Sequence, residues 1–272
     1  MGKYLNEAII GNKNMLVTFS DRGEMLRLSY PNRDNRQYIK FFNTGVKIND
    51  SDLIYLHEDV NNTYLQYYDT DTNILNTEIT NTYFNLKILQ TDFATMKEDI
   101  LVKKYTFIND GNIELDVKFL IHSELLSDQN NFVGAMKIDT GMIQYAHDFS
   151  VATFSKQKLL SHQINGSINT IHSGIIHDKD YIGMSKESSI SYDIGKIEPG
   201  EKKELEIYVY IDENKKTMKL IEDEIERIKK IDFNKEYTHV KSYWRKYVKE
   251  HNGLELKEPT NSYEEKIQDI YR

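Results

Sequence analysis

Through its first two hundred residues this chain alternates apolar and polar positions, and from Lys216 onward its apolar residues recur at three- and four-residue steps. A period of two is that of a strand with one buried face, and a period near 3.6 is that of a helix with one apolar stripe. The chain is therefore expected to fold as many strands followed by a few helices. The clearest strand pair runs over 100–108 and 113–120, turning at Asn109-Asp110-Gly111. Asp-Gly between two such runs is among the strongest short-range hairpin signals. On the return strand Ile113, Leu115, Val117, Phe119 and Ile121 share one face, while Glu114, Asp116, Lys118 and His122 share the other.

Further strands are expected at 14–20 and 24–30, joined by the turn Ser20-Asp21-Arg22-Gly23, and at 37–42, 53–57, 63–68, 74–80 and 83–91. Later ones fall at 132–138, 142–147, 150–154 and 205–211, the last after Glu198-Pro199-Gly200. So many antiparallel strands with short turns predict a mainly β fold, a large two-sheet sandwich. The boundary falls near 212–216, giving a β domain over 1–215 and a helical segment over 216–272. Met218, Leu220, Ile221, Ile225, Ile228 and Ile231 form the first amphipathic stripe. A second helix is expected after Asn234 as N-cap, with Tyr237, Val240, Trp244, Tyr247 and Val248 on one face, ending at Asn252-Gly253. A third is expected after Pro259-Thr260, with Ser262 and Glu265 as a capping box and Tyr263, Ile267, Ile270 and Tyr271 as its face. No stop signal closes that helix, so a further domain is expected beyond it.

Composition narrows the function classes. A chain of 272 residues with 39% hydrophobic and 29% charged residues can bury a large core without staples. A net charge of −8 argues against a nucleic-acid partner. With no cysteine there is neither a disulfide nor a thiolate metal site, which agrees with a reducing compartment. The opening residues carry no secretory signal pattern and no apolar run is long enough for a membrane helix, so a cytoplasmic location is favoured over export.

Few residues announce chemistry. Asp69-Thr70-Asp71-Thr72-Asn73 resembles the start of a calcium loop, but Ile74 stands where the sharp turn needs glycine and Thr80 where a bidentate acid is needed. The expectation is a polar hairpin turn. His172 with His177-Asp178 is the densest histidine group, a pair five apart on an expected loop without a third ligand nearby, so polar surface residues are expected there and not a metal site. Tyr64, Tyr67 and Tyr68 could stack on sugar rings, although aromatic residues are ordinary in strands. There is no phosphate-binding glycine loop, nucleophile elbow or zinc-binding helix motif. No residue is assigned a catalytic, cofactor-binding or metal-binding role, and no cofactor is expected.

The first hairpin allows more. Ile10-Gly11-Asn12, Leu16-Val17-Thr18, Asp21-Arg22-Gly23, Leu26 and Leu28-Ser29-Tyr30-Pro31 together resemble the opening of prokaryotic glucoamylases of glycoside hydrolase family 15. Tyr105-Thr106-Phe107-Ile108-Asn109 and its return strand are similar to that family's sandwich, and Trp244 to the tryptophan of its linker helices. The closing Tyr271-Arg272 stands where the family's catalytic barrel begins. The resemblance implies a supersandwich of the galactose mutarotase type, followed by linker helices leading to a barrel of paired helices. It also implies inverting hydrolysis of α-glucosidic bonds by two glutamates of that barrel. No catalytic residue is therefore carried onto this chain, whose expected partner is its own barrel and, through it, an α-glucan. Whether that is starch, maltooligosaccharide, dextran or trehalose stays open. Two other readings stand beside it. One is a carbohydrate-binding module using Tyr64, Tyr67 and Tyr68; the other is a sugar epimerase of the same fold, which needs a histidine and a carboxylate meeting in one cleft.

Overall fold

The computed structural model describes residues 8–31, 36–126, 133–165, 171–178, 180–213 and 218–251. In chain order the strands begin with β1 (Ala8–Gly11), β2 (Leu16–Phe19), β3 (Met25–Ser29), β4 (Ile39–Ile48), β5 (Ile54–Tyr55) and β6 (Asn62–Tyr68). Then come β7 (Leu75–Asn81), β8 (Leu86–Ala94), β9 (Ile100–Asn109), β10 (Leu115–Leu125), β11 (Gly134–Ile138) and β12 (Gly141–Tyr145). The last are β13 (Ser150–Ser155), β14 (Ser161–Ile164), β15 (Ile182–Gly183), β16 (Glu187–Ile197) and β17 (Lys202–Asp212), before helices α1 (Met218–Ile228) and α2 (Phe233–His251). They form two antiparallel sheets. One has eight strands in the order β1-β2-β3-β4-β10-β16-β14, with β5 on β4; the other has nine, in the order β15-β11-β12-β13-β17-β9-β8-β7-β6.

The alternation seen in the sequence is what builds the core. Leu115, Val117, Phe119 and Ile121 of β10 face Leu101, Tyr105 and Phe107 of β9 across the space between the sheets, within one continuous apolar cluster. Ile113, expected on the same face, precedes the strand and is exposed. One charged pair lies inside this core. Lys103 of β9 stands directly opposite Asp92 of β8, with Nζ 2.6 Å from Oδ1 and both side chains buried. Gln90 donates to Asp92 Oδ2 at 2.6 Å and to the Gly23 carbonyl at 2.9 Å, and the Lys103 ammonium lies 4.7 Å from the Phe19 ring centroid. Burial pushes the Asp92 carboxyl up and the Lys103 ammonium down, and each partner pulls the other back.

The residues of the first hairpin also have structural work. Gly23 takes φ +79°, which the turn needs and glycine supplies freely. Asn12 (Nδ2 at 3.1 Å), Asn14 (2.9 Å) and the Tyr30 hydroxyl (3.2 Å) all donate to the Asp99 carboxylate between β8 and β9. That cluster ties one sheet to the other.

The helices cover the outer face of the nine-stranded sheet. Ile221, Ile225 and Ile228 of α1 and Phe233 and Val240 of α2 are buried against Phe93, Val102, Phe154 and Tyr208. Leu220, within the expected stripe, is half exposed. The α2 N-cap is Asp232, whose carboxylate accepts from the Lys235 amide at 3.1 Å; Asn234, expected to cap, lies inside the helix. Asp232 wins because the helix starts at Phe233, which packs edge-on to Phe93 at 5.5 Å. Tyr247 points away from the sheet and is exposed. The expected Asn252-Gly253 stop and the third helix lie outside the described residues.

Candidate functional site

The other outer face, that of the eight-stranded sheet, is polar where β4, β10, β16 and β14 lie side by side. Register sets its pattern. Asn43 of β4, His122 of β10, Ser189 of β16 and Gln163 of β14 pair in turn and form one transverse row. The next row is Phe41, Glu124 and Glu187, again directly paired across β4, β10 and β16. Side chains at alternate strand positions share a face, so both rows project to the side away from the core.

The geometry brings a histidine and a carboxylate together. His122 Nε2 lies 3.5 Å from Glu187 Oε2, too long for a good hydrogen bond. The imidazole is 4% exposed, and the Phe41 ring packs edge-on to it at 4.8 Å. Burial holds the His122 pKa below its ordinary value against the opposing pull of Glu187, so the neutral ring is favoured near neutral pH. Two carboxylates, Glu124 and Glu187, face each other across the β10–β16 ladder. Such like-charged pairs are unfavourable by themselves; Lys40 Nζ, 3.0 Å from Glu124, offsets the repulsion. Chemically, this face can accept hydrogen bonds from hydroxyl groups and can hold or move a proton between an imidazole and a carboxylate.

The candidates singled out in the sequence go elsewhere. Residues 69–73 turn the β6–β7 hairpin, and their polar groups anchor neighbouring elements. Asn73 accepts from the Gly11 amide at 2.6 Å, while Asp69 Oδ2 accepts from the Tyr237 hydroxyl at 2.8 Å and from Lys241 Nζ at 2.7 Å. His172 lies beside Tyr55, whereas Asp178 pairs with His162 (Nδ1 at 2.9 Å) and not with His177. No group of three or more histidine and acidic side chains suited to a metal ion occurs among the described residues. Tyr64 and Tyr68 fall on one side of β6 and Tyr67 on the other, since strand side chains alternate. The Tyr68 hydroxyl bonds both the amide and the carbonyl of Ile9, at 2.7 and 2.9 Å, and Tyr67 donates to Glu78 at 3.1 Å. They form no common platform. What the sequence reading missed is the His122–Glu187 meeting, because β16 was not recognised as a strand; the one signal was the outward position of His122 on β10.

The Asp69 anchor predicts a pH dependence for α2 docking. Partial burial opposes ionisation, but the hydrogen bonds from Lys241 and Tyr237 outweigh it and hold the Asp69 carboxyl below its ordinary value. A carboxyl whose folded value is lowered stabilises fully above the unfolded value, near about 3.9, and loses that contribution as pH falls through the folded value. Asp69→Asn should therefore lower the melting temperature at pH 6 and flatten its fall below about pH 4. A variant whose melting curve tracks the parent protein at every pH would show that the anchor contributes nothing.

No protein-family model and no curated protein matches the sequence. Solved structures define the class of fold. A GalM/aldose epimerase homologue from C. elegans is similar over 76% of this chain and 99% of its own, at 9% identity and a TM-score of 0.53. The protein is thus a two-sheet antiparallel supersandwich of the kind seen in aldose epimerases, followed by helices. A bacterial glucoamylase, solved in complex with acarbose, is similar over 89% of this chain with a TM-score of 0.70 and 13% identity. A family GH92 alpha-mannosidase from Bacteroides thetaiotaomicron is similar over 89% at 12% identity, with a TM-score of 0.52. At these identities the likeness is one of fold. The chain spans 37% of the glucoamylase and 35% of the mannosidase.

Proposed function

We propose that this chain is the supporting sandwich of a glucoamylase-like α-glucan hydrolase. In this reading it packs against a helical catalytic barrel that holds the two catalytic glutamates of an inverting mechanism. The observation that carries the reading is the extent of the likeness. It covers 89% of the chain for the glucoamylase but 76% for the epimerase homologue, and the TM-score is higher, 0.70 against 0.53. Two further features support it: α1 and α2 are fixed to the sheet by a shared apolar cluster, as linker helices would need to be, and the first-hairpin residues that resemble glucoamylases are engaged in holding the sheets together. The partner is then the protein's own barrel, and the substrate an α-linked glucan reached through it.

A second reading rests on one observation. His122 and Glu187 meet on a sheet face, as a sugar epimerase acting by proton transfer would need. Polarimetry of freshly dissolved α-D-glucose separates the two. Residues 1–272 are expected to leave anomer interconversion at the buffer rate. Acceleration that disappears in Glu187→Gln would replace the supporting role with an epimerase.

A further inference from the structure

The outermost strands of the two sheets are protected unequally. On β1 the Ile9 amide donates to the Tyr68 hydroxyl at 2.7 Å and the Gly11 amide to Asn73 at 2.6 Å. On β14 the His162 amide donates to the Asp178 carboxylate at 3.1 Å, and β15 has only two residues. The remaining edge, β6, differs. It has seven residues, none of them charged and none a proline, and it runs along β7 without a register shift. No strand of the described residues lies beyond it. Proteins ordinarily guard an edge strand with a charge, a proline, a bulge or brevity, because its outward N–H and C=O groups can template another strand. Two bonds at the ends of the β6–β7 ladder show which groups those are. The Thr82 amide donates to the Asn61 carbonyl at 2.9 Å and the Asp69 amide to the Ile74 carbonyl at 2.9 Å. Odd-numbered positions between them therefore bond toward β7, and Tyr64, Gln66 and Tyr68 turn their backbone groups to the open edge.

We propose that this edge docks a second copy of the chain, the two β6 strands pairing antiparallel about a two-fold axis. Packing and charge select one register. With Gln66 opposite the partner's Gln66, Tyr64 meets the partner's Tyr68, and each such pair exchanges both of its backbone hydrogen bonds. Leu65 then lies directly opposite the partner's Tyr67 on the outer face, at the kind of pair where side chains come closest. In the single chain these residues are 59% and 41% exposed, an apolar pair without cover. The same register sets Thr63, not an acid, opposite the partner's Asp69. A two-residue slip one way brings Asp59 beside the partner's Asp71, a like-charged pair; a slip the other way sets Leu65 opposite the partner's Asp69. A one-residue slip mismatches the bonding groups altogether. Pairing β6 with itself consumes the edge, so the assembly closes at two copies and does not grow into a fibre. The inference goes beyond the supporting role and rests on β6 alone.

Analytical ultracentrifugation of residues 1–272 tests it, with hydrogen exchange at the Tyr64, Gln66 and Tyr68 amides. The mass should rise from 32.0 kDa toward twice that value, with a dissociation constant on the order of 10 μM, as suits a small interface. The three amides should exchange about tenfold more slowly in the dimer. Leu65→Lys with Tyr67→Lys sets like charges opposite each other across the pair. Within one chain Glu78 stays beside both positions, since it pairs with Leu65 across the ladder and accepts from Tyr67. This variant should weaken association at least about tenfold and leave the melting temperature of dilute protein unchanged. A second measurement does not depend on its folding. The chain has no cysteine, so an equal mixture of Leu65→Cys and Tyr67→Cys chains should oxidise to a linked dimer faster than either chain alone. A mass of 32.0 kDa at every concentration overturns the pairing, and protected amides in that monomer would mean that another segment of the same chain covers the edge. A dimer that the lysine variant does not weaken, or a mixture that links no faster, overturns it as well. The measurements involve no hydrolysis, so their failure leaves the supporting role standing.

Discussion

Asp92→Ala should cost about 3–5 kcal/mol of folding stability, because it leaves the Lys103 ammonium alone between the two sheets. Lys103 and Asp92 are 1% and 0% exposed, and Gln90 donates a hydrogen bond to the Asp92 carboxylate. Water cannot replace the lost carboxylate without opening the sandwich, so the charge must be dehydrated or neutralised, and both are unfavourable. Replacing the pair together, Asp92→Leu with Lys103→Met, should come back to within about 1–2 kcal/mol of the parent, since well-packed apolar pairs often equal a buried ion pair. Urea denaturation followed by tyrosine and tryptophan fluorescence reads both. An Asp92→Ala midpoint equal to the parent's would mean the pair is not buried as described.

Ile225→Asp should be nearly as damaging, and its consequence differs. Ile225 lies at the centre of the α1 stripe, against the outer face of the nine-stranded sheet. A carboxylate there has no partner, so α1 is expected to lift off at a cost of about 3–5 kcal/mol. The uncovered surface includes Phe93, Val102, Phe154 and Tyr208, an apolar patch of the kind soluble monomers rarely expose. Light scattering should then show self-association. Leu220→Asp, half exposed on the same helix, should change stability by no more than about 0.5 kcal/mol and leave the mass unchanged. Equal behaviour of the two variants would mean that α1 does not pack on the sheet through this stripe.

The parts of the fold legible in the sequence are those where local pattern and tertiary packing agree. The β9–β10 hairpin has alternation, an Asp-Gly turn and a core on one side, and it forms where expected, although β10 continues to Leu125. The α1 stripe is equally plain. By contrast β16 begins Glu187-Ser188-Ser189-Ile190-Ser191, which reads as a loop, and becomes a strand because β10 offers it a full ladder. Likewise β14, Ser161–Ile164, has too few residues to show any period, and β1 and β15 are shorter still or equally brief. The candidate site fell in this blind spot. Asn43, His122, Glu187 and Ser189 come from three strands far apart in sequence, and only the strand order β4-β10-β16 makes them neighbours. Lys103 was hidden for another reason: Asp92 is only 11 residues away on the neighbouring strand, but nothing local marks the lysine as buried or the two as partners.

In the proposed role this sandwich supports the hydrolysis of α-glucans, and the chemistry belongs to the barrel. Inverting hydrolysis needs two carboxyl groups roughly 6.5–9.5 Å apart, with a water between one of them and the sugar. Glu124 and Glu187 are directly paired across β10 and β16, and Glu124 is held by Lys40. Proton NMR of the sugar released from maltoheptaose is the direct measurement, comparing the protein in its cellular form with residues 1–272 by themselves. Fresh β-glucose is expected from the cellular form and no glucose from residues 1–272. Glucose release by residues 1–272 at a comparable rate, or none from the cellular form, would contradict it.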